Sequence, residues 1–216
     1  MNEQATADPL TQPSTQPSPL NVPNTLSAIR LLLACLVVAL VPMHFYLAGF
    51  ILFVVAAGTD WLDGWYARRY QQVTQLGRIL DPFCDKIIIC GTFIVLAVEM
   101  QDFPWYAQIA GWMAVLVVGR ELLVTALRSS IEASDGDSSA KMSGKLKMVF
   151  QCLAAGAAFV ALLYNDSSSP NPTLENVPVW VFGCLIVFIW LALILTVYSG
   201  VIYVTAAIKF AKQPRS

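Results

Sequence analysis

The stretch FYLAGFILFVVAAGTDWLDGWYARRYQQVTQLGRILDPFCDKIIICGTFIVLAVEM, Phe45–Met100, holds two long apolar runs around a short, highly charged polar segment. Residues 45–66 and 79–99 each reach the roughly 20 residues that a helix needs to cross a hydrocarbon core of about 30 Å. Runs of the same kind recur at 25–42, 105–128, 145–164 and 178–207. Hydrophobic residues make up 57% of the 216 and charged residues only 12%, about half the charged share of a soluble domain. The sequence therefore predicts an all-α, polytopic membrane protein with six transmembrane helices, most of its mass inside the bilayer and in contact with membrane lipids.

Outside these runs, residues 1–19 are polar and carry the imperfect repeat TQPSTQPSP. Such a segment has too little apolar surface to offset the entropy of folding, so a disordered tail is expected. It has neither the basic start and short apolar stretch of a signal peptide nor the arginines of a transit peptide. Residues 20–212 form the membrane domain and 213–216 a C-terminal tail. The first helix is entered through NVPNTLSAIR, with Asn24 or Thr25 as its expected cap.

Lysine and arginine set the orientation. None lies in the loops after the first, third and fifth helices, whereas Arg68, Arg69, Arg78 and Lys141 lie in those after the second and fourth. Both termini and both basic loops are thus expected in the cytoplasm. The formal net charge of −1 carries no nucleic-acid footprint. Five scattered cysteines lack metal-ligand spacing, and His44 is the single histidine, which excludes a zinc site or a histidine-based triad.

The chemistry is concentrated in Asp60–Lys86. Asp60 and Asp63 are three residues apart on one helix, about 60° around its axis, and Asp81 and Asp85 are four apart on the next, about 40°. Two antiparallel neighbours would let four carboxylates converge at the inner membrane surface. Gathered there, they would repel one another and tend to protonate unless compensated. Hard divalent cations, Mg²⁺ or Mn²⁺, suit such oxygen ligands, and two ions suit phosphoryl transfer. Gly64 and Ala67 leave room beside the acidic pair, Arg68 suits a two-pronged phosphate contact, and Gly77 is expected to begin the turn back toward Asp81. A surface salt-bridge network with Arg68, Arg69 and Arg78 is the plainer alternative.

The full spacing, D-x2-D-G-x2-A-R-x8-G-x3-D-x3-D, is met by Asp60, Asp63, Gly64, Ala67, Arg68, Gly77, Asp81 and Asp85. It resembles the CDP-alcohol phosphotransferase family, six-helix membrane enzymes acting at the cytoplasmic face. The resemblance implies that Asp60, Asp63 and Asp81 bind metal, that Asp60 and Asp81 bridge two ions, and that Asp85 touches the second. It implies that Gly64, Ala67, Arg68 and Gly77 hold the CDP-lipid and that Asp85 is the general base for the acceptor hydroxyl. A homodimer in a bacterial cytoplasmic membrane is implied in the same way.

A second cationic cluster bears on the acceptor. Arg120 lies within the fourth helix beside Glu121, Arg128 at its end, and Lys145 and Lys147 open the fifth. A buried arginine needs an anion. Either Glu121 supplies it, or these four residues hold an acceptor that carries its own phosphate. The stretches NVPNTLSAIR, GRELLVTALR and SGKLKMVFQ resemble the branch of the family that joins CDP-diacylglycerol to glycerol 3-phosphate, with Ser27 and Met148 each standing where threonine is usual. Inositol phosphate, serine or phosphatidylglycerol are the rival acceptors. A cation-coupled transporter would place its charges near the bilayer midplane in paired repeats, and a prenyltransferase would separate two acidic motifs; neither pattern fits.

Overall fold

With few polar side chains to compete for their hydrogen bonds, the apolar runs close their backbone N–H and C=O groups internally as helices. The computed structural model describes residues 22–70, 75–132, 141–165 and 177–211. Among these residues are six α-helices and no strand. They are α1 Val22–Leu40, α2 Tyr46–Tyr70, α3 Gln75–Glu99, α4 Gly111–Glu132, α5 Lys141–Asn165 and α6 Val179–Ala211. The tail 1–19 and the last residues, 212–216, lie outside the described residues.

Helix α2 runs on to Tyr70, so Arg68 and Arg69, expected in the following loop, lie within it. Four helix starts differ from the sequence reading by three residues or more. Helix α1 begins at Val22, so Asn24 and Thr25 lie inside its first turn; Pro23 is tolerated there because first-turn N–H groups have no helical acceptor. Helix α3 begins at Gln75, which places Gly77 inside the helix and not in a turn. The cost of about 1 kcal/mol for a helical glycine is small beside its neighbours' preference. Helix α5 starts at Lys141, so Lys145 and Lys147 lie one to two turns in.

Helix α4 begins at Gly111, not at 105. Turns occupy the missing residues: the Phe103 N–H reaches the Met100 carbonyl at 3.0 Å and the Ala107 N–H the Pro104 carbonyl at 2.8 Å. The Trp190 indole N–H of α6 takes the Tyr106 carbonyl at 3.1 Å, an acceptor that a helix starting at 105 would have used for itself.

Helix α1 packs on both α2 and α3, which touch each other less than either touches α1; α5 packs most extensively on α6, and α4 bridges α3 and α6. Small residues allow these approaches. Ala154, Ala155, Ala158 and Ala161 of α5 are all fully buried. At Gly49 an added Cβ would lie 2.9 Å from Val41 Cγ2 and 3.3 Å from Phe159 Cε1. Gly49→Leu is therefore expected to destabilise the junction by about 1–3 kcal/mol through overpacking, read as a lower Tm in detergent; an unchanged Tm would remove this contact from the account.

All six helices turn large aliphatic residues outward, among them Leu32, Ile51, Val98, Val115, Val149 and Ile194. In water so extensive an apolar surface would drive association; in hydrocarbon it is at rest. Among the described residues, Leu146–Asn165 and Val179–Ile208 are long and apolar enough to cross a membrane. This is the surface of a membrane protein. Trp105, Tyr106, Trp112 and Trp180 are exposed near the α3–α4 turn and the start of α6, an aromatic girdle of the kind found at a membrane–water boundary. At the same end Tyr46 donates to Glu99 Oε2 at 2.7 Å and accepts from His44 Nδ1 at 2.6 Å. His44, at φ 62°, closes the turn Val41–Met43 between α1 and α2.

Candidate active site

Helix α2 runs unbroken through Asp60, Asp63, Gly64, Ala67 and Arg68, and α3 carries Gly77, Asp81 and Asp85. The whole acidic pattern therefore stands on two helices facing the short connection 71–74. The side chains of these eight residues, and that of Lys145, lie outside the described residues.

The next residue, Lys86, is described and ties α3 to α4. Lys86, directly after Asp85, places its Nζ 3.6 Å from Glu121 Oε2 of α4. Glu121 is buried, and its other oxygen, Oε1, is shared by Arg120 Nη1 at 3.2 Å and by the Nζ of Lys147 from α5. Glu121 lies about 15 Å along α4 from Gly111, well inside the bundle. A lone buried carboxylate or ammonium at that depth would cost several kcal/mol, roughly, and tends to lose its charge. Three cations converging on one anion offset the cost of burying the Glu121 carboxylate and leave the cluster with excess positive charge.

Helix α6 supplies the outer partners. Arg120 donates through Nη2 to the Ser199 hydroxyl. Eight residues further along α4, Arg128 donates through Nη2 to the Tyr203 hydroxyl at 2.7 Å. The Tyr203 ring also faces both guanidinium groups, with Arg120 Cζ 5.8 Å and Arg128 Cζ 5.5 Å from its centroid, close enough for cation–π attraction. Both arginines keep a buried Nε–H with no hydrogen-bond acceptor among the described residues. Unsatisfied buried donors on two cations form the kind of wall that an anion completes. One turn above Lys147, Gln151 donates to Thr196 Oγ1 of α6 at 3.2 Å and carries the polar seam inward.

Three of the four residues expected to hold the acceptor's phosphate thus line one seam between α4, α5 and α6: Arg120 and Lys147 in direct contact with Glu121, and Arg128 two turns away. Glu121 partners Arg120, as the plainer reading had it, and it also gathers Lys147 and Lys86. Lys86, Ser199 and Tyr203 went unnoticed in the sequence. The signal for Lys86 was its place beside Asp85, whereas nothing local distinguishes Ser199 or Tyr203 within an apolar helix. A groove of about 650 Å³ between α3 and α4, lined by Ile94, Val98, Val115 and Gly119, has no ionisable lining residue and cannot serve phosphate chemistry.

A family model for CDP-alcohol phosphatidyltransferase matches residues 20–198. The chain belongs to the CDP-alcohol phosphatidyltransferase family. It is 32% identical over 197 residues to the CDP-diacylglycerol–glycerol-3-phosphate 3-phosphatidyltransferase of Bacillus subtilis, covering 83% of this chain and 91% of that one. The enzyme of the same name from Yersinia enterocolitica is 31% identical over 200 residues, covering 90% of this chain and 99% of its own. A third, from Haemophilus influenzae, is 31% identical over 159 residues, 73% of this chain and 75% of that one.

Proposed function

We propose that the chain transfers the phosphatidyl group of CDP-diacylglycerol to glycerol 3-phosphate, giving phosphatidylglycerophosphate and CMP. The reading rests above all on one juxtaposition: the residue after Asp85 is ion-paired to the carboxylate that also holds Arg120 and Lys147. An anion-binding seam thereby adjoins the acidic pattern, as an acceptor bearing its own phosphate requires. The relatives' names and their near full-length overlap support the same substrates.

In this reading Arg68 pairs with the diphosphate of the CDP-lipid, while Gly64, Ala67 and Gly77 leave room for the nucleotide. Arg120, Arg128, Lys145 and Lys147 hold the phosphate of glycerol 3-phosphate. Asp85 takes the proton from the acceptor hydroxyl, whose oxygen forms the new bond to the phosphorus bearing diacylglycerol as the bond to CMP breaks. Asp60, Asp63, Asp81 and Asp85 offer carboxylate oxygens only, a donor set that fits two hard divalent cations, Mg²⁺ or Mn²⁺. When bound, these ions would offset charge on the diphosphate and on the departing CMP. Six membrane crossings, cytoplasmic termini and active site, a place in a bacterial cytoplasmic membrane and a homodimer belong to the same proposal.

The deciding experiment offers detergent-purified protein CDP-diacylglycerol and Mg²⁺ with glycerol 3-phosphate, serine, inositol phosphate or phosphatidylglycerol in turn. CMP release with glycerol 3-phosphate alone is the expected result; release only with another acceptor overturns the assignment. Chelation by EDTA is expected to abolish CMP release, with recovery on adding Mg²⁺ or Mn²⁺. Turnover that survives chelation would refute the metal requirement.

A further inference from the structure

Glu121 presents a puzzle for a seam built to hold an anion, because a carboxylate there repels a phosphate. Its contacts resolve the puzzle. Lys86, Arg120 and Lys147 come from α3, α4 and α5, and all three reach the same carboxylate. Without a central anion, three desolvated cations at such range repel one another, and the cheapest response is to splay apart or shed a proton. With it they form one array. Among the described residues the array carries three positive charges against one negative. This excess of positive charge, to which Arg128 of the same seam adds, suits the dianion of a phosphate monoester.

The array is also graded. Lys147 and Arg120 share Oε1 and have 5% and 9% of their side-chain surface exposed, whereas Lys86 holds Oε2 at the looser 3.6 Å and is 27% exposed. The loosest and most accessible cation is thus the one directly after Asp85 in α3.

We infer that Glu121 is a positioning residue: it assembles Lys86, Arg120 and Lys147 into a preformed pocket for the acceptor's phosphate and sets that pocket's distance from Asp85. This rests on the proposed transfer to a phosphate-bearing acceptor. Glu121 itself touches no substrate. It acts through the cations, and its negative charge is what gathers them.

The test measures KM for glycerol 3-phosphate and for CDP-diacylglycerol, with kcat, in the full-length wild type, Glu121→Gln and Glu121→Asp, alongside Tm in detergent. Glu121→Gln keeps the shape and removes the charge, so KM for glycerol 3-phosphate is expected to rise about tenfold or more, the loss of one charge-assisted contact. KM for CDP-diacylglycerol should stay within about twofold, well under the tenfold that 1.4 kcal/mol represents. Glu121→Asp keeps the charge on a shorter arm and is expected to fall between Gln and wild type. If the Gln variant does not fold, the Asp variant decides by the same selective rise. Unchanged acceptor KM in a folded variant, or equal losses for both substrates together with a lower Tm, would reduce Glu121 to a structural ion pair and overturn the inference. A wild type that releases CMP only with an acceptor lacking phosphate would instead bring down the proposed function, and this inference with it.

Discussion

Asp85→Asn is expected to abolish CMP release while CDP-diacylglycerol still binds. The substitution keeps the side chain's size and removes both its charge and its ability to accept a proton. General-base catalysis alone contributes about 10²–10⁴-fold. Asp85 is also assigned to the second metal ion, so the loss in kcat should reach at least about a thousandfold, toward the upper part of that range. In the proposed reading, binding of the CDP-lipid rests on Arg68 and on the room left at Gly64 and Gly77, all unaltered by the substitution. Single-turnover CMP release and equilibrium binding of the CDP-lipid, measured on one preparation, separate the two effects. Retained turnover would remove Asp85 as the base, and lost binding would make it chiefly a metal ligand.

Arg120→Ala is the second large effect, and it should fall on the other substrate. Arg120 stands between Glu121 and Ser199, and its Nε–H has no acceptor among the described residues. Removing a charged hydrogen-bonding partner costs about 1.5–3 kcal/mol, or about 10–150-fold in affinity. KM for glycerol 3-phosphate is expected to rise by that factor, with KM for CDP-diacylglycerol nearly constant. The fold should tolerate the change, because Lys147 and Lys86 still compensate Glu121. Equal losses for both substrates would argue against a separate acceptor pocket and return the arginine to a purely structural role.

Much of the architecture was legible in the chain because a membrane imposes one strong, local rule. A helix must be apolar for roughly 20 residues to cross hydrocarbon. The six apolar runs fall on six helices among the described residues, two of which are long and apolar enough to cross. The acidic pattern was equally plain, since its eight residues keep fixed spacing on two helices joined by a short connection. The boundaries that failed did so for reasons outside the window in which hydropathy is read. Residues 105–110 look helical by composition, yet Trp190 of α6 takes the Tyr106 carbonyl and turns hold the rest. Gly77 looks like a turn residue, yet its neighbours carry the helix through it.

The sequence by itself determined an all-helical bundle, the acidic pattern on α2 and α3, and the cations of α4 and α5, because each depends on residue type and on spacing within one or two helices. Only the tertiary structure decided that Lys86, Arg120 and Lys147 share the carboxylate of Glu121, and that Tyr203 stands against two arginines. Those pairings join residues as far as 83 positions apart (Arg120 to Tyr203). They follow from how α3, α4, α5 and α6 are rotated against one another. That rotation is set by small-residue packing and by the cost of leaving a buried charge unpaired, and both are properties of the assembled bundle.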